Sequence, residues 1–288
     1  MKKIWLTTGI LLLAATIADA DEVSRALSDI APQGVVQSAR ELIESGLAPE
    51  RTIAVTRAMV QNGFEAQQIG EAHRVLLDAQ AQGLPPDPII NKAFEGMAKR
   101  VQASRIVRAM ETVRARFDVA LQQAEKLTGR KSHAIQVGHV IAAGLSAGLT
   151  PQSVESITEG LQERSRTMKP DPREALALET FKTARDMARL GVSPSQTAAV
   201  VRQALQHQFS AGQMQNMRTA FRNDSRATAP QNLAASYGRS IQQGKSFGGP
   251  GSSGSDSGSG SGGSGSGGGS GSGGSGSGGG NGPGGSGG

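Results

Sequence analysis

From Ile106 to Ala124 the apolar side chains fall at Ile106, Met110, Val113, Phe117, Leu121 and Ala124, in steps of 4, 3, 4, 4 and 3. That spacing returns to one face of a 3.6-residue helix at every step and predicts a single long amphipathic helix. Ile89, Ala93 and Met97, with Ile90 and Phe94 beside them, give a shorter version. No stretch alternates apolar and polar residues as a half-buried strand would. The apolar stripes are interrupted at GLAP (Gly46 to Pro49), GLPP (Gly83 to Pro86), GLTP (Gly148 to Pro151) and GVSP (Gly191 to Pro194). NGFEA, Asn62 to Ala66, is the same break without a proline.

Each break has one physical reading. Glycine accepts the left-handed conformation just past a helix end, the following apolar residue packs back on the turn, and proline suits the first turn of the next helix. Gly46 to Gly63 and Gly63 to Gly83 are 17 and 20 residues apart, one helix and one tight turn each. A pair therefore spans 37 residues, the scale of helical-hairpin repeats. The expected fold is all-α, an irregular array or bundle of antiparallel helix pairs of solenoid-like character. Offset by 108 without gaps, residues 72–114 lie over 180–222, so that Gly83 meets Gly191, Pro86 meets Pro194, Val101 meets Phe209 and Ile106 meets Met214. Five of these 43 positions are identical, no more than chance supplies, so a true solenoid and an irregular bundle both stay open.

The prolines of GLPPDPIINKAFEGMAKRV sit where other breaks have theirs, which makes them helix punctuation rather than a polyproline ligand. The same stretch, with Pro85, Pro88, Lys92, Glu95, Gly96 and Lys99, resembles one in secreted helical proteins of bacteria. The resemblance implies a helical fold and export, and it carries no activity.

Residues 1–20 read as a secretory signal. Lys2 and Lys3 precede an apolar run from Ile4 to Ala15, and Ala18-Asp19-Ala20 offers a small-x-small cleavage site. The run falls short of the ~20 residues of a spanning helix, so no transmembrane segment is expected in the mature chain. The expected route is general secretion to the periplasm or beyond. Residues 21–243 form the expected helical domain, and residues 244–288, nearly all Gly and Ser, form an expected disordered tail. With no cysteine, packing alone must stabilise the exported domain, and with seven Phe, one Tyr and one Trp that core is mainly aliphatic.

Chemistry is sparse. GLSAG (Gly144 to Gly148) matches a nucleophile elbow at Ser146, but Pro151 would interrupt the helix that such an elbow requires. YGRSIQQGKS (Tyr237 to Ser246) misses the P-loop spacing. His133 and His139 are six apart and point to different sides of a helix, and all four histidines, with His73 and His207, are expected at the surface or its boundary. No catalytic set, metal site or cofactor is expected.

Charge is the informative property. Residues 92–131 hold ten basic side chains against Glu95, Glu111, Asp118 and Glu125, a local charge of +6. The candidate binding residues are Lys92, Glu95, Lys99, Arg100, Arg105, Arg108 and Arg116, with Arg105, Arg108 and Arg116 near one side of the long helix by their spacings of 3 and 8. Such a segment suits an acidic protein or an anionic envelope surface. Nucleic acid is not expected as a partner, because the aromatic platforms of single-strand binders are missing. The expected function is an exported, non-catalytic interaction or scaffold module of the bacterial cell envelope. The alternative is an envelope enzyme of unrecognised type with a polar site in a helical cleft.

Overall fold

A computed structural model of the chain describes residues 23, 25–245 and 247. The signal sequence expected at 1–20 and most of the Gly/Ser stretch expected at 244–288 lie outside the described residues. Within them the chain is helical without a strand. After a short helical stretch ending at residue 27 come α1 (Gln33–Glu44), α2 (Pro49–Gln61), α3 (Ala66–Ala81), α4 (Asp87–Ala98), α5 (Ala103–Glu125) and α6 (Lys131–Ser146). There follow α7 (Pro151–Ser165), α8 (Pro170–Arg189), α9 (Pro194–Gln206), α10 (Ala211–Asp224) and α11 (Pro230–Gln242).

Most helices pack on the helix two places along. In one row α1 meets α3, α3 meets α5, α7 meets α9 and α9 meets α11; in the other α2 meets α4, α6 meets α8 and α8 meets α10. This is the stacking of helix pairs in a solenoid, where each unit buries its apolar face on its neighbours. The regularity breaks at α5, which packs most heavily on α4 and α6. Two apolar cores meet along it. Ile106, Val107, Met110 and Val113 belong to the first, while Ala120 and Ala124 belong to the second. Phe117 and Leu121 touch both. The seam expected from Ile106 to Ala124 is thus the shared spine of an irregular array.

The junctions follow the glycine reading closely. Gly46, Gly63, Gly83, Gly148 and Gly191 all have positive φ, between 67° and 115°. At Gly83, the amide of Leu84 reaches back to the Ala79 carbonyl and that of Gly83 to Gln80, the paired bonds that close a helix on a left-handed residue. Pro49, Pro151 and Pro194 then open the next helices at the first position, where a missing N–H costs nothing. The prolines of GLPPDP do the same work, with Pro86 before α4, Asp87 its first residue and Pro88 its second.

Two further junctions lack glycine, and the pattern had not revealed them. Arg100 and Gln208 stand with φ of 53° and 60°. They are 108 positions apart, and the helices after them begin at Ala103 and Ala211, the same offset. The internal correspondence seen in sequence therefore extends to backbone conformation at residues that are not alike. Not every glycine near a junction ends a helix: α6 runs through Gly144 to Ser146. Gly144 is buried there against Leu149, whose Cδ1 would lie 2.8 Å from an added Cβ, so this glycine serves close packing rather than termination.

Candidate functional site

The α4–α5 turn departs from every other junction. Lys99 closes α4, Arg100 takes the left-handed position, and Val101 follows where the inward apolar residue belongs. Leu47, Phe64, Leu84, Leu149, Val192 and Phe209 occupy that place at the other junctions and are all buried. Val101 is 39 % exposed. Its counterpart Phe209 is approached by the ring of Phe247, with centroids 6.3 Å apart. Directly beneath the turn α4 and α5 press together: a Cβ on Gly96 would stand 2.6 Å from Ile106 Cγ1.

Val101 directly follows Lys99 and Arg100 in the chain and precedes Arg105 by four residues. Lys92 Nζ lies 2.9 Å from Glu95 Oε2 and Lys99 Nζ 2.5 Å from Glu95 Oε1, so this triad is brought together as one cluster on α4. Hydrogen bonds from Lys99 and Lys92 lower the Glu95 carboxyl to about 2. A carboxylate held ionised in this way is a poor proton shuttle. Being exposed, the cluster adds little stability, and its two ammonium groups outnumber its one carboxylate.

Arg100, Arg105 and Arg108 are exposed and Arg116 is half-buried. None of the four forms an ion pair among the described residues. Arg105 sits in the first turn of α5, which contains no acidic residue, so it adds to the positive end of the helix dipole instead of offsetting it. Arg108 lines a cleft of about 630 Å³ between α3 and α5, where Glu71, Asp78 and Glu111 mix with Arg74. Arg116 lies ~16 Å further along the α5 axis than Arg105, outside the turn. Lys99, Arg100 and Arg105 are therefore the exposed candidate cations nearest Val101 along the chain, with Arg108 about one turn further along α5.

A second polar constellation was missed in sequence. His73 was expected at the surface or its boundary, and it is fully buried. Its Nδ1 lies 2.7 Å from Ser38 Oγ and its Nε2 2.9 Å from Thr56 Oγ1, which joins α1, α2 and α3. Burial lowers its pKa to about 4. Ser38 and His73 border a cleft of about 400 Å³ that Glu41, Glu71 and Arg74 also line. Ser38 donates its hydroxyl proton to the Val35 carbonyl at 3.0 Å. His73 Nδ1–H must then donate to Ser38, and Thr56 donates to Nε2. In that arrangement the imidazole does not draw the proton from Ser38, and its low basicity makes it a weak base near neutrality. Separations of 35 and 17 residues gave no local signal for this contact.

The remaining motifs resolve simply. Ser146 is the last residue of α6, with no strand before it, so the nucleophile elbow is absent. His139 is exposed and meets Phe117 edge-on at 5.1 Å. A groove of about 710 Å³ between α7 and α9 has one charged lining residue, Arg202, and that side chain donates to Ser156 Oγ at 3.1 Å. Among the described residues no group of three or more His, Asp or Glu converges as metal ligands would, and no helix is long and apolar enough to cross a membrane. No protein-family model and no curated protein matches the chain.

Proposed function

We propose that the protein is an exported, non-catalytic helical module of the bacterial cell envelope that docks on the acidic face of another macromolecule through its α4–α5 turn. Val101 carries this reading. It is the one junction residue of its kind turned toward solvent, and in the chain it follows Lys99 and Arg100 and precedes Arg105. An apolar contact point flanked by charge suits an interface centre with a polar rim. The unpaired guanidinium groups supply attraction over longer range, which speeds encounter with an acidic partner and weakens as salt rises. Export rests on the sequence pattern of residues 1–20.

Cross-linking of the exported protein in its native compartment, followed by identification of what is captured, tests this. Wild type is expected to capture an acidic protein, and the triple variant Lys99→Gln, Arg100→Gln, Arg105→Gln to lose it. Capture unchanged by the triple variant overturns the reading. Binding to anionic vesicles with no protein captured moves the partner to the membrane surface.

A second reading, an envelope enzyme with a polar site in a helical cleft, draws on the Ser38–His73 pair. Labelling of Ser38 by a serine-reactive phosphonate, absent in Ser38→Ala, would support it against the proton arrangement described above.

A further inference from the structure

We propose that the pocket where the α5–α6 turn faces α7 and α8 binds a small oxyanion of the phosphate class. Lys126 closes α5, Arg166 closes α7, and Arg173 stands near the start of α8. These three cations line a cavity of about 280 Å³ together with Thr128, Gln162 and Ser165, and no carboxylate is among its lining residues. Gln162 donates to the Lys126 carbonyl at 3.4 Å, which fastens the turn to α7.

The deciding group is Arg173. Its Nε is buried without a hydrogen-bond partner, and the residue forms no ion pair among the described residues. Arg173 lines the cavity with no carboxylate partner among the described residues, so the guanidinium charge is left to be met by an acceptor from the cavity side. The acids nearest in sequence are already committed. Asp171 and the buried Glu174 both pair with Arg130, and Glu174 also lies 3.4 Å from His133 Nε2. What remains around the cavity is three positive charges and hydroxyl and amide donors, the donor set of a phosphate site. The volume lies just below the ~300 Å³ at which ligand clefts begin, which fits one phosphate group rather than an extended molecule. A free phosphate and a phosphodiester lipid headgroup present the same chemistry here. The pocket is at the opposite end of α5 from Val101, ~30 Å away along the helix, and does not depend on the docking role of that turn.

Titration calorimetry of the full chain with inorganic phosphate, beside flotation with phosphatidylglycerol and phosphatidylcholine vesicles, tests the assignment. Saturable phosphate binding is expected that weakens with salt and falls more than about tenfold in Arg173→Gln and in Lys126→Gln. Arg222→Gln, an exposed side chain near the end of α10 outside both this cavity and the α4–α5 turn, is expected to bind as wild type. Flotation with phosphatidylglycerol alone that Arg173→Gln abolishes, without binding of free phosphate, assigns the headgroup as the source. Should Arg173→Gln lose its helical circular dichroism, the exposed pair Lys126→Gln, Arg166→Gln decides in its place. No binding by either probe, or binding that these variants leave unchanged, overturns the proposal.

Discussion

Ser38 Oγ lies 2.7 Å from Nδ1 of His73, a contact across 35 residues that fastens α1 to α3 at the edge of a cleft. The ring is held neutral by burial, and this makes fold stability pH-dependent. The unfolded chain takes up the His73 proton near 6.5 and the folded chain only near 4. Between those values the unfolded state binds more protons, so stability falls as pH drops from about 6.5 to about 4 and levels off below. The whole step is on the order of 3 kcal/mol. Urea denaturation followed across this range is expected to show that slope, and His73→Gln to flatten it at lower stability.

Arg100→Gly is expected to stabilise the protein by about 1 kcal/mol, because glycine takes the left-handed conformation without the clash that a Cβ meets there. The same substitution removes a cation beside Val101, so gain in melting temperature and loss of partner capture are expected together. Gly83→Ala is the converse control, losing about 1 kcal/mol at a junction whose φ is 67°. Thermal melts of the three proteins check both signs.

The positions behind these two effects differ in how far the sequence discloses them. Gly83 and Gly191 announce their turns, because glycine before an apolar residue and a proline has one ready physical reading. Arg100 and Gln208 take the same backbone conformation without either signal, and only the offset of 108 links them. Val101 is harder still. In sequence it matches Leu84 or Phe209, and its exposure follows from how α4, α5 and their neighbours stack. Lys92, Glu95 and Lys99 were legible because they share one helix face within two turns. The His73 contacts and the Lys126, Arg166 and Arg173 pocket depend on side chains from several helices, which no local pattern encodes.

Gly96→Ala would drive a methyl group into Ile106, at 2.6 Å from Cγ1 of a fully buried side chain. Overpacking of this kind costs about 1–3 kcal/mol. Denaturant melts are expected to show the loss, and hydrogen exchange to rise at the Lys99 and Arg100 amides as the two helices separate beneath the turn.

Phe247 lies three residues past the left-handed Gly244, and its ring stacks on Tyr237 at 4.3 Å with planes 4° apart. Tyr237 in turn donates to Asp224 Oδ2 at 2.7 Å and meets Phe221 edge-on, so the stack covers the exposed end of the second core. Phe247→Ala is expected to cost about 1 kcal/mol. Quenching of Tyr237 fluorescence by acrylamide is expected to increase in the variant, and an unchanged signal would count against this capping role.

Because α5 carries Met110 and Val113 in one core and Ala120 and Ala124 in the other, its register is shared by two sets of neighbours at once. Adding a single residue between Val113 and Ala120 would rotate everything beyond it by ~100° about the helix axis. One core would keep its stripe and the other would lose it. Insertions are tolerable in the turns, where they alter only a local crossing. Inside α5 they would have to come in whole helical turns, so this helix holds the two cores to one common register.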